Sequence, residues 1–371
     1  MKIAWLHSTF TEGNNGAERL VYLMAREFGS RIYTCDYNKR VEGSYPGIDK
    51  MIVLDRIDHP DSFTRMPYEV MRRMTERKDI DADFIVYSGS FPVFRIRKDL
   101  TPYLYFCHTP ERGLFDLRDR TMERIDEWGF PRSMIAKILL NRRRRKDIVL
   151  FRKRVNPGQV ITNSKLVMDR YEKVYGKRPR RAVGAPIETG RYRCKESEEF
   201  FFTAGGLRWN KRLEWQIEAA SRSGCELKIA GDGPARKKLE DLAGRRGAKV
   251  EFLGRLDEKE LIDHYSRCRA FIFTAIEEDF GMVPLEAMAS GKPVICVGEG
   301  GPLEYLNEGN SFIFKDVEGL AGILGNFDDS KALGMREGCI RTARHFDSKE
   351  VAGRIREDIE GIMKEFYGGG G

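Results

Sequence analysis

The chain has 371 residues, with 65 basic and 57 acidic side chains, a formal net charge of +8 and 41% hydrophobic residues. This length predicts about two domains, each large enough to form its own core. No apolar run approaches the ~18 residues of a membrane span, and the first ten residues lack the apolar centre of a signal peptide. We therefore exclude an integral membrane protein and expect a cytoplasmic one. The seven cysteines form no CxxC pair, which favours reduced thiols.

Apolar strand-like runs alternate with helical patterns along the whole chain, which predicts parallel sheets covered by helices on both faces. The first series of predicted strands is 2–7, 31–35, 51–54, 84–87, 102–106 and 160–162. The second series is 200–204, 226–230, 250–253, 270–274, 293–297 and 311–314. A polar stretch at 188–199 lies between the two series and is typical of an interdomain linker.

The first strand is followed by a loop rich in glycine and asparagine, TEGNNGAER at 11–19, which leads into a helix. Such a backbone allows a ligand to approach closely, with Gly16 as the candidate contact. An ordinary turn between a strand and a helix is the alternative interpretation.

Two short segments of the first half bear on chemistry. The segment 105–112, YFCHTPER, places His108 at the end of a predicted strand, where α/β sheets bind ligands. Asp81 and Asp83 resemble a DxD metal motif, but they precede a strand at its amino end. We interpret them as a cap or turn and expect no metal site there.

Positive charge is concentrated in the first half of the chain. Residues 112–154 hold 14 Lys and Arg against 6 Asp and Glu, including RRRRK at 142–146 on a predicted helix. A solvated helix face and binding to an anionic membrane surface are both open interpretations. No aromatic-interleaved platform accompanies the charges, so we expect no nucleic-acid partner.

The second half opens with the segment 200–213, FFFTAGGLRWNKRL. Its glycine pair lets a loop approach a ligand, and Arg208 and Lys211 follow at the tip of that loop. Next comes the turn 231–234, GDGP, whose residue types are explained by tight-turn geometry alone.

The segment 270–297 combines a strand, an acidic turn, a glycine and a short helix with Pro284 in its first turn. The N–H groups of Gly281, Met282 and Val283 would then open a helix, where unpaired donors and the helix dipole favour an anion. This arrangement predicts a phosphate site.

Two carboxylates flank this predicted phosphate site, Glu278 before the helix and Glu286 in its first turns. Carboxylates do not bind phosphate but accept hydrogen bonds from hydroxyl groups. The implied ligand therefore carries phosphate between two sugars, as a nucleotide-sugar does.

Glu278, Glu286 and the following AMASGKPV together resemble the donor-site signature of the family 4 retaining glycosyltransferases, enzymes of the GT-B fold. The HTPER segment and the NGAE at 15–18 resemble further motifs of that family, many members of which are mannosyltransferases. The resemblance implies two Rossmann-like doubly wound domains facing each other across a cleft. Their expected limits are 1–190 on the acceptor side and 191–347 on the nucleotide-sugar side, then a helix at 348–367 that packs back toward the first domain, and a glycine tail at 368–371.

The resemblance also implies roles for single residues. Lys211 falls on a family lysine that neutralises the donor diphosphate, whereas the expected arginine position is Gly206, so we interpret Arg208 as its replacement. His108 would lie near the transferred sugar, and Gly16 near the diphosphate or the acceptor. Gly254 and Arg255 would lie beside the nucleobase.

The residues and the resemblance together predict a metal-independent enzyme without a cofactor that moves a hexosyl group to a glycan or lipid-linked acceptor. The resemblance implies mannose from GDP-mannose as the preferred donor. Glu278 would hold the sugar hydroxyls and Glu286 those of the ribose, and cations would stabilise the leaving diphosphate. The alternatives are transfer from a UDP-sugar and a non-catalytic nucleotide-binding protein on the same scaffold. We expect the chain in the cytoplasm, with the cytoplasmic membrane face as a candidate location.

Overall fold

The computed structural model describes residues 1–10, 15–37, 45, 51–54, 80–89, 91–96 and 100–368, without the side chains of residues 35–37 and 91. These residues group into two units. The first unit comprises Met1–Gly184 and Ala352–Gly371, and the second comprises Ala185–Val351. The domain limits expected from the sequence, at 190 and 347, stay predictions. Part of the glycine loop, residues 11–14, and the tail residues 369–371 lie outside the described residues.

The described strands of the first unit form one parallel sheet in the order β3-β2-β1-β4-β5-β6-β7. The strands are β1 Ile3–Phe10, β2 Arg31–Tyr37, β3 Met51–Val53, β4 Phe84–Ser88, β5 Tyr103–Cys107, β6 Val160–Thr162 and β7 Arg181–Ala182. β4 and β5 are buried along their whole length, as expected of near-continuous apolar runs covered on both faces. β1 extends to Phe10, and the short β7 has no apolar run that would have predicted it.

Helices cover the first sheet. They are α1 Gly16–Glu27, α2 Arg118–Asp126, α3 Arg132–Arg154 and α4 Lys165–Tyr175. Phe151 of α3 stacks on Tyr175 of α4 with ring centroids 4.3 Å apart, and both residues belong to the core that includes Tyr105 of β5. This aromatic cluster attaches one side of the long basic helix α3 to the sheet.

The described strands of the second unit form another parallel sheet, in the order β10-β9-β8-β11-β12-β13. They are β8 Phe200–Ala204, β9 Glu226–Ala230, β10 Val250–Gly254, β11 Phe271–Phe273, β12 Val294–Val297 and β13 Ser311–Phe314. The helices are α5 Leu213–Ser223, α6 Arg236–Arg246, α7 Glu258–Arg267, α8 Met282–Ala289, α9 Val317–Gly325, α10 Asp329–Gly334 and α11 Arg336–His345. The predicted α/β class with two doubly wound parallel sheets is confirmed.

The last helix, α12, spans Ser348–Gly368 and carries an apolar stripe of four fully buried residues, Val351, Ile355, Ile359 and Ile362. From Ala352 onward it groups with the first unit. There the buried Asp358 lies 2.9 Å from both Arg180 and Arg181. Burial raises the pKa of Asp358 despite the two guanidinium groups beside it.

The connection order creates one topological switch point in each sheet. In the first sheet the strand order reverses direction between β1 and β4, and in the second between β8 and β11. Ligands of open parallel sheets bind outside the carboxyl ends of the strands at such points. In the described part of the chain, no helix is both long enough and apolar enough to cross a membrane.

Candidate functional site

The switch point of the second sheet is formed by two loops that hydrogen-bond to each other, one after β8 and one after β11. Thr274 Oγ1 donates to the carbonyl of Lys211 at 2.6 Å, and the N–H of Ile276 donates to the carbonyl of Asn210 at 2.9 Å. The buried Gln216 of α5 donates to Thr274 Oγ1 at 2.8 Å. These contacts fix the two loops in one position relative to the sheet.

The same loops bring together the predicted cation Lys211 and the predicted carboxylate Glu278. Lys211 Nζ lies 2.8 Å from Glu278 Oε2, and the two side chains are 28% and 25% exposed. An ammonium group has three donors, so Lys211 can keep Glu278 and still bind an oxygen of another group. The pair therefore presents a positive and a negative group side by side at the carboxyl edge of the sheet.

The helix α8 begins beside this pair. Its N-cap is Gly281, with φ 83°, and the carbonyl of Gly281 accepts a hydrogen bond from Tyr305 Oη at 2.6 Å. A Cβ at Gly281 would lie 2.9 Å from Cγ of Pro302, so both the φ angle and the space require glycine here. Met282 and Val283, which are partly exposed, form the first turn, where N–H groups lack acceptors within the helix.

Glu286, the second predicted carboxylate, has a different environment. It is 2% exposed, and its Oε2 accepts a hydrogen bond from Tyr265 Oη of α7 at 3.0 Å. The carboxylate therefore connects α7 to α8 within the unit. Its role toward ribose hydroxyls stays a prediction.

A glycine turn after β12 supports the loop that carries Glu278. The N–H of Gly301 donates to the carbonyl of Glu278 at 2.8 Å, and a Cβ on Gly301 would lie only 2.1 Å from the carbonyl oxygen of Asp279. Glu277 itself has φ 56°, an unfavourable angle for a residue with a side chain. The contact with Gly301 explains how this strained loop is held.

Arg208, the second predicted cation, is exposed at the tip of the loop after β8. A Cβ on Gly206 would lie 3.8 Å from Nε of Arg208, so the arginine side chain runs past the position that Gly206 leaves empty. No described residue pairs with the guanidinium. The Arg208 side chain thus lies beside Gly206, and its contact with phosphate stays a prediction.

The turn after β9 packs directly on the loop after β8. A Cβ on Gly231 would lie 1.9 Å from the carbonyl oxygen of Gly205, and the N–H of Gly231 donates to the carbonyl of Gly254 at 2.6 Å. These contacts explain why glycine is required at position 231. Gly254 has φ 70° and Arg255 is exposed. Their contact with a nucleobase stays a prediction.

At the amino end of the first unit, Gly16 begins α1 and Asn15 caps that helix, with its Oδ1 accepting from the N–H of Ala17 at 3.0 Å. The ligand contact of Gly16 stays a prediction. The DxD-like pair has structural partners: Asp83 accepts from the N–H of Lys2 at 2.7 Å, and Asp81 lies 3.1 Å from Lys2 Nζ.

His108 lies at the switch point of the first sheet, where it meets two residues that the sequence did not single out. Ser88 Oγ is 2.7 Å from Nε2 of His108 and 3.1 Å from Nδ1 of His7, and that same Nδ1 is 3.2 Å from the carbonyl oxygen of Ser88. Burial lowers the pKa of His7 to about 4, and burial together with His7 lowers the pKa of His108 well below its usual value. These histidines are therefore uncharged near neutral pH.

The signal that could have identified Ser88 and His7 is their position toward the carboxyl ends of two apolar strands, β4 and β1. Arg112, four residues after His108 in the sequence, donates hydrogen bonds to Asp116 from Nε at 2.9 Å and from Nη2 at 2.7 Å. Its guanidinium thus has a protein partner. Among the described residues, no group of three or more His, Cys, Asp or Glu side chains could hold a metal ion.

Comparison with known proteins finds a family match over the second unit of the chain. Residues 188–344 match the family model of the glycosyl transferases group 1. An uncharacterized glycosyltransferase of Methanocaldococcus jannaschii is 35% identical over 118 residues, which are 30% of each protein. A GDP-mannose-dependent alpha-mannosyltransferase of Corynebacterium glutamicum is 34% identical over 113 residues, 30% of this chain and 26% of that protein. The chain thus matches less than a third of the length of either relative.

The fold is shared over nearly the whole chain. The crystal structure of HepE from Anabaena in complex with UDP and glucose matches with a TM-score of 0.71 and 17% identity, covering 97% of this chain and 99% of that chain. At this identity the likeness establishes the GT-B fold alone. The chain therefore shares its fold with that structure over nearly its whole length, and over residues 188–344 it matches the group 1 glycosyl transferases, the family 4 enzymes of GT-B fold.

Proposed function

We propose that the chain is a retaining, metal-independent glycosyltransferase that moves a hexosyl group from a nucleotide-sugar to a glycan or lipid-linked acceptor. The observation that carries this proposal is the Lys211–Glu278 pair beside the first turn of α8. One member attracts phosphate, the other accepts hydrogen bonds from sugar hydroxyls, and the helix start adds N–H donors. A nucleotide-sugar presents phosphate and hexose next to each other in the same way.

The chemical task in this reaction is to stabilise the leaving diphosphate, because the sugar departs as an oxocarbenium-like species. Lys211, Arg208 and the N–H groups of Gly281, Met282 and Val283 supply positive charge and donors for it. We assign neither carboxylate to attack on the sugar, since Glu278 is paired with Lys211 and Glu286 is buried against Tyr265. The proposal therefore has the departing phosphate assist attack by the acceptor on the same face of the sugar, which retains the anomeric configuration.

The proposed donor is GDP-mannose, and the similarity to a GDP-mannose-dependent enzyme supports it. A UDP-hexose is the alternative donor. The shared fold with a protein in complex with UDP and glucose supports this alternative. Thermal melting with GDP-mannose, UDP-glucose, UDP-galactose, UDP-N-acetylglucosamine, GDP and UDP separates these candidates. A shift confined to GDP compounds supports the proposal, and a shift confined to UDP compounds replaces the proposed base.

The test of catalysis is Glu278→Ala, compared with Glu308→Ala as a matched control on an exposed glutamate of the same unit. We expect Glu278→Ala to abolish release of nucleoside diphosphate in the presence of donor and acceptor while the protein still melts cooperatively. Glu308→Ala should react at the parental rate. Near-normal turnover by Glu278→Ala would remove the assignment. Nucleotide binding without any turnover by the parent would favour the non-catalytic alternative.

We also propose that the chain works at the cytoplasmic face of an anionic membrane, bound through one face of α3. This α3 face consists of Met134, Ile135, Ile138, Leu139, Arg142, Arg145, Lys146 and Val149, all of which are exposed. At 100° per residue these positions form one continuous stripe. Its amino-terminal half is apolar and its carboxyl-terminal half is basic.

Most residues on the remaining side of α3 are buried or partly buried, and the α3 face itself contains no acidic residue. Asp147, the acidic residue of the helix, points to the opposite side and accepts a hydrogen bond from Tyr175 Oη at 2.9 Å. Arg144 lies over the ring of Phe115 at 5.7 Å. Just before α3, Trp128 and Phe130 are 38% and 82% exposed and extend the apolar part. Apolar side chains beside cations that pair with no described residue match a bilayer surface with anionic headgroups.

Vesicle sedimentation tests this surface. The parent should bind vesicles that contain phosphatidylglycerol and not pure phosphatidylcholine vesicles, since each cation contributes about 1 kcal/mol near an anionic surface. Two double variants should each abolish binding. One replaces Arg142 and Arg145 by Glu, and the other replaces Ile135 and Leu139 by Asp. Lys237→Glu with Lys238→Glu, an equal charge change on the exposed side of α6, should not abolish binding.

Three results would overturn the membrane assignment. Equal binding of both vesicle types, or of parent and α3-face variants, would contradict it directly. Binding of RNA oligonucleotides in place of vesicles would assign the cations to nucleic acid. The parent could also form a concentration-dependent dimer that the Ile135→Asp, Leu139→Asp double variant does not form. The apolar half of the α3 face would then bind a second copy of the chain.

A further inference from the structure

Three residues that are distant in sequence meet at the switch point of the first sheet because of strand register. The pairing of β1 with β4 places His7 directly beside Ser88, and the pairing of β4 with β5 places Ser88 beside Phe106. His108 follows β5 by one residue, so its ring reaches Ser88 Oγ at 2.7 Å. The resulting chain of polar groups runs from His7 through Ser88 to His108.

The positions of the protons in this chain follow from one atom that can only accept. Nδ1 of His7 lies 3.2 Å from the carbonyl oxygen of Ser88 and 3.1 Å from its hydroxyl oxygen. A carbonyl oxygen has no proton to give, so Nδ1 of His7 must carry one. The serine hydroxyl then accepts from His7, and its own proton is free for Nε2 of His108.

This direction of donation determines the tautomer of His108. A neutral imidazole carries one N–H, and the nitrogen that accepts from Ser88 cannot be the protonated one. The proton of His108 therefore lies on Nδ1. No described residue forms a hydrogen bond with this Nδ1, and the ring is only partly buried, so the N–H is available to a ligand.

We propose that Ser88 and His7 are positioning residues, which hold His108 neutral with its proton on Nδ1 so that it donates a hydrogen bond to an oxygen of the bound substrate. This inference rests on the proposed function for its consequence in catalysis, but not for the tautomer itself. It assigns His108 the role of a fixed donor. It also excludes Nε2 of His108, which Ser88 occupies, as a base for the acceptor hydroxyl.

Nitrogen-15 spectra of the histidine rings test the tautomer in the full chain without any nucleotide-sugar. The His108→Gln variant identifies the His108 signals among those of the five histidines. In the parent, Nδ1 should show the shift of a protonated nitrogen and Nε2 that of an unprotonated one. The reverse pattern, or an average of the two, would overturn the proposal whether or not the chain is an enzyme.

Substitutions then separate positioning from general support of the fold. Ser88→Ala removes the donor to Nε2 and should shift the spectrum toward the Nε2–H form, whereas Ser88→Thr keeps the hydroxyl and should preserve it. His7→Asn keeps an N–H near the place of Nδ1 and should also preserve the tautomer, whereas His7→Leu should not. A Ser88→Ala spectrum identical to that of the parent would show that the serine has a packing role alone.

The kinetic consequence is measured on variants that melt within a few degrees of the parent. Ser88→Ala should lower kcat about tenfold, the loss of one hydrogen bond made in the transition state, with little change in KM. Ser88→Thr should restore most of the rate. An increase in KM with kcat unchanged would contradict the proposal, because it would assign these residues to ground-state binding. Absence of turnover in the parent with an intact tautomer would contradict the proposed function but not the proton arrangement.

Discussion

The two switch points of the molecule have the same topology and opposite chemistry. At the carboxyl edge of the second sheet, Lys211 and Glu278 form a partly exposed ion pair beside a helix start. At the same edge of the first sheet, His7, Ser88 and His108 form an uncharged chain that is buried at His7 and Ser88 and partly exposed at His108. The strand order of an α/β sheet therefore determines where chemistry-bearing residues meet, and the following loops determine which chemistry they perform.

The backbones at the two edges also differ. In the second unit, loops approach so closely that a Cβ on Gly231 or Gly301 would lie 1.9 or 2.1 Å from a carbonyl oxygen. In the first unit, a Cβ on Gly89, between the histidines, would be 3.6 Å or more from any neighbour. A site that must stabilise charge benefits from donors that do not move when the charge develops, and the close packing of the second edge provides this.

The largest expected effect tests the charged edge. Lys211→Ala should lower kcat about 10²–10³-fold, the usual cost of removing one group that stabilises charge in a transition state. Lys211→Arg, which keeps the charge, should lose less, and His108→Asn at the uncharged edge should also lose less. Steady-state kinetics with the nucleotide-sugar that shifts the melting temperature give the numbers. If His108→Asn cost more than Lys211→Ala, the main electrostatic role would belong to the first unit.

The next effect tests whether the carboxyl group of Asp147, in the first unit, is uncharged in the folded protein. Burial raises the pKa of Asp147 to about 7, against the opposing hydrogen bond from Tyr175. The folded state then holds a proton that the unfolded state releases above pH 4, so stability falls as pH rises from 4 to 7. Asp147→Asn should remove this loss and raise stability by up to about 4 kcal/mol at pH 8, with no gain at pH 4.

Differential scanning calorimetry of the full chain at several pH values measures the effect of Asp147→Asn. The control is Asp119→Asn, whose side chain is 98% exposed on α2. A constant difference between Asp147→Asn and the parent across pH 4–8 would show that the carboxyl group is ionised throughout. That result would place a buried charge beneath the α3 face.

A smaller effect tests the close packing of the second edge. Gly301→Ala forces a Cβ against the Asp279 carbonyl and should cost about 3 kcal/mol of stability. Gly322→Ala, in the exposed middle of α9 with nothing near its Cβ position, should stabilise by about 1 kcal/mol. The two melting temperatures should thus move in opposite directions. A Gly301→Ala protein that melts like the parent would mean that the loop carrying Glu278 can move.

The sequence predicted the second edge better than the first, for a physical reason. Lys211, Glu278 and the start of α8 lie in loops next to long apolar runs, so their positions follow from local patterns. The family signature and both doubly wound sheets were recognised in the same way. The burial of Glu286 was not predictable, because it depends on Tyr265, a residue of another helix.

The chain of His7, Ser88 and His108 could not be predicted for a related reason. Ser88 is 81 residues from His7 and 20 from His108, and neither distance forms a local motif. Only the register of three neighbouring strands brings these residues together. The alternation of strands and helices predicts which strands are parallel, but it does not predict which residues stand opposite each other.

The smallest effect tests the uncharged edge by its response to acid. Burial lowers the pKa of His7 to about 4. Between about pH 6.5 and pH 4 the unfolded state therefore binds a proton that the folded state does not bind, and the free energy of unfolding falls as pH falls. His7→Asn keeps a donor for Ser88 but does not titrate. The free energy of unfolding of His7→Asn should therefore exceed that of the parent by about 2 kcal/mol more at pH 5 than at pH 8. This pH dependence is opposite in sign to that of Asp147, so melting curves at pH 5 and pH 8 distinguish the two groups within one unit. If His7→Asn and the parent lost stability equally between pH 8 and pH 5, His7 would be protonated in the folded protein, and the direction of donation through Ser88 would have to be reversed or abandoned.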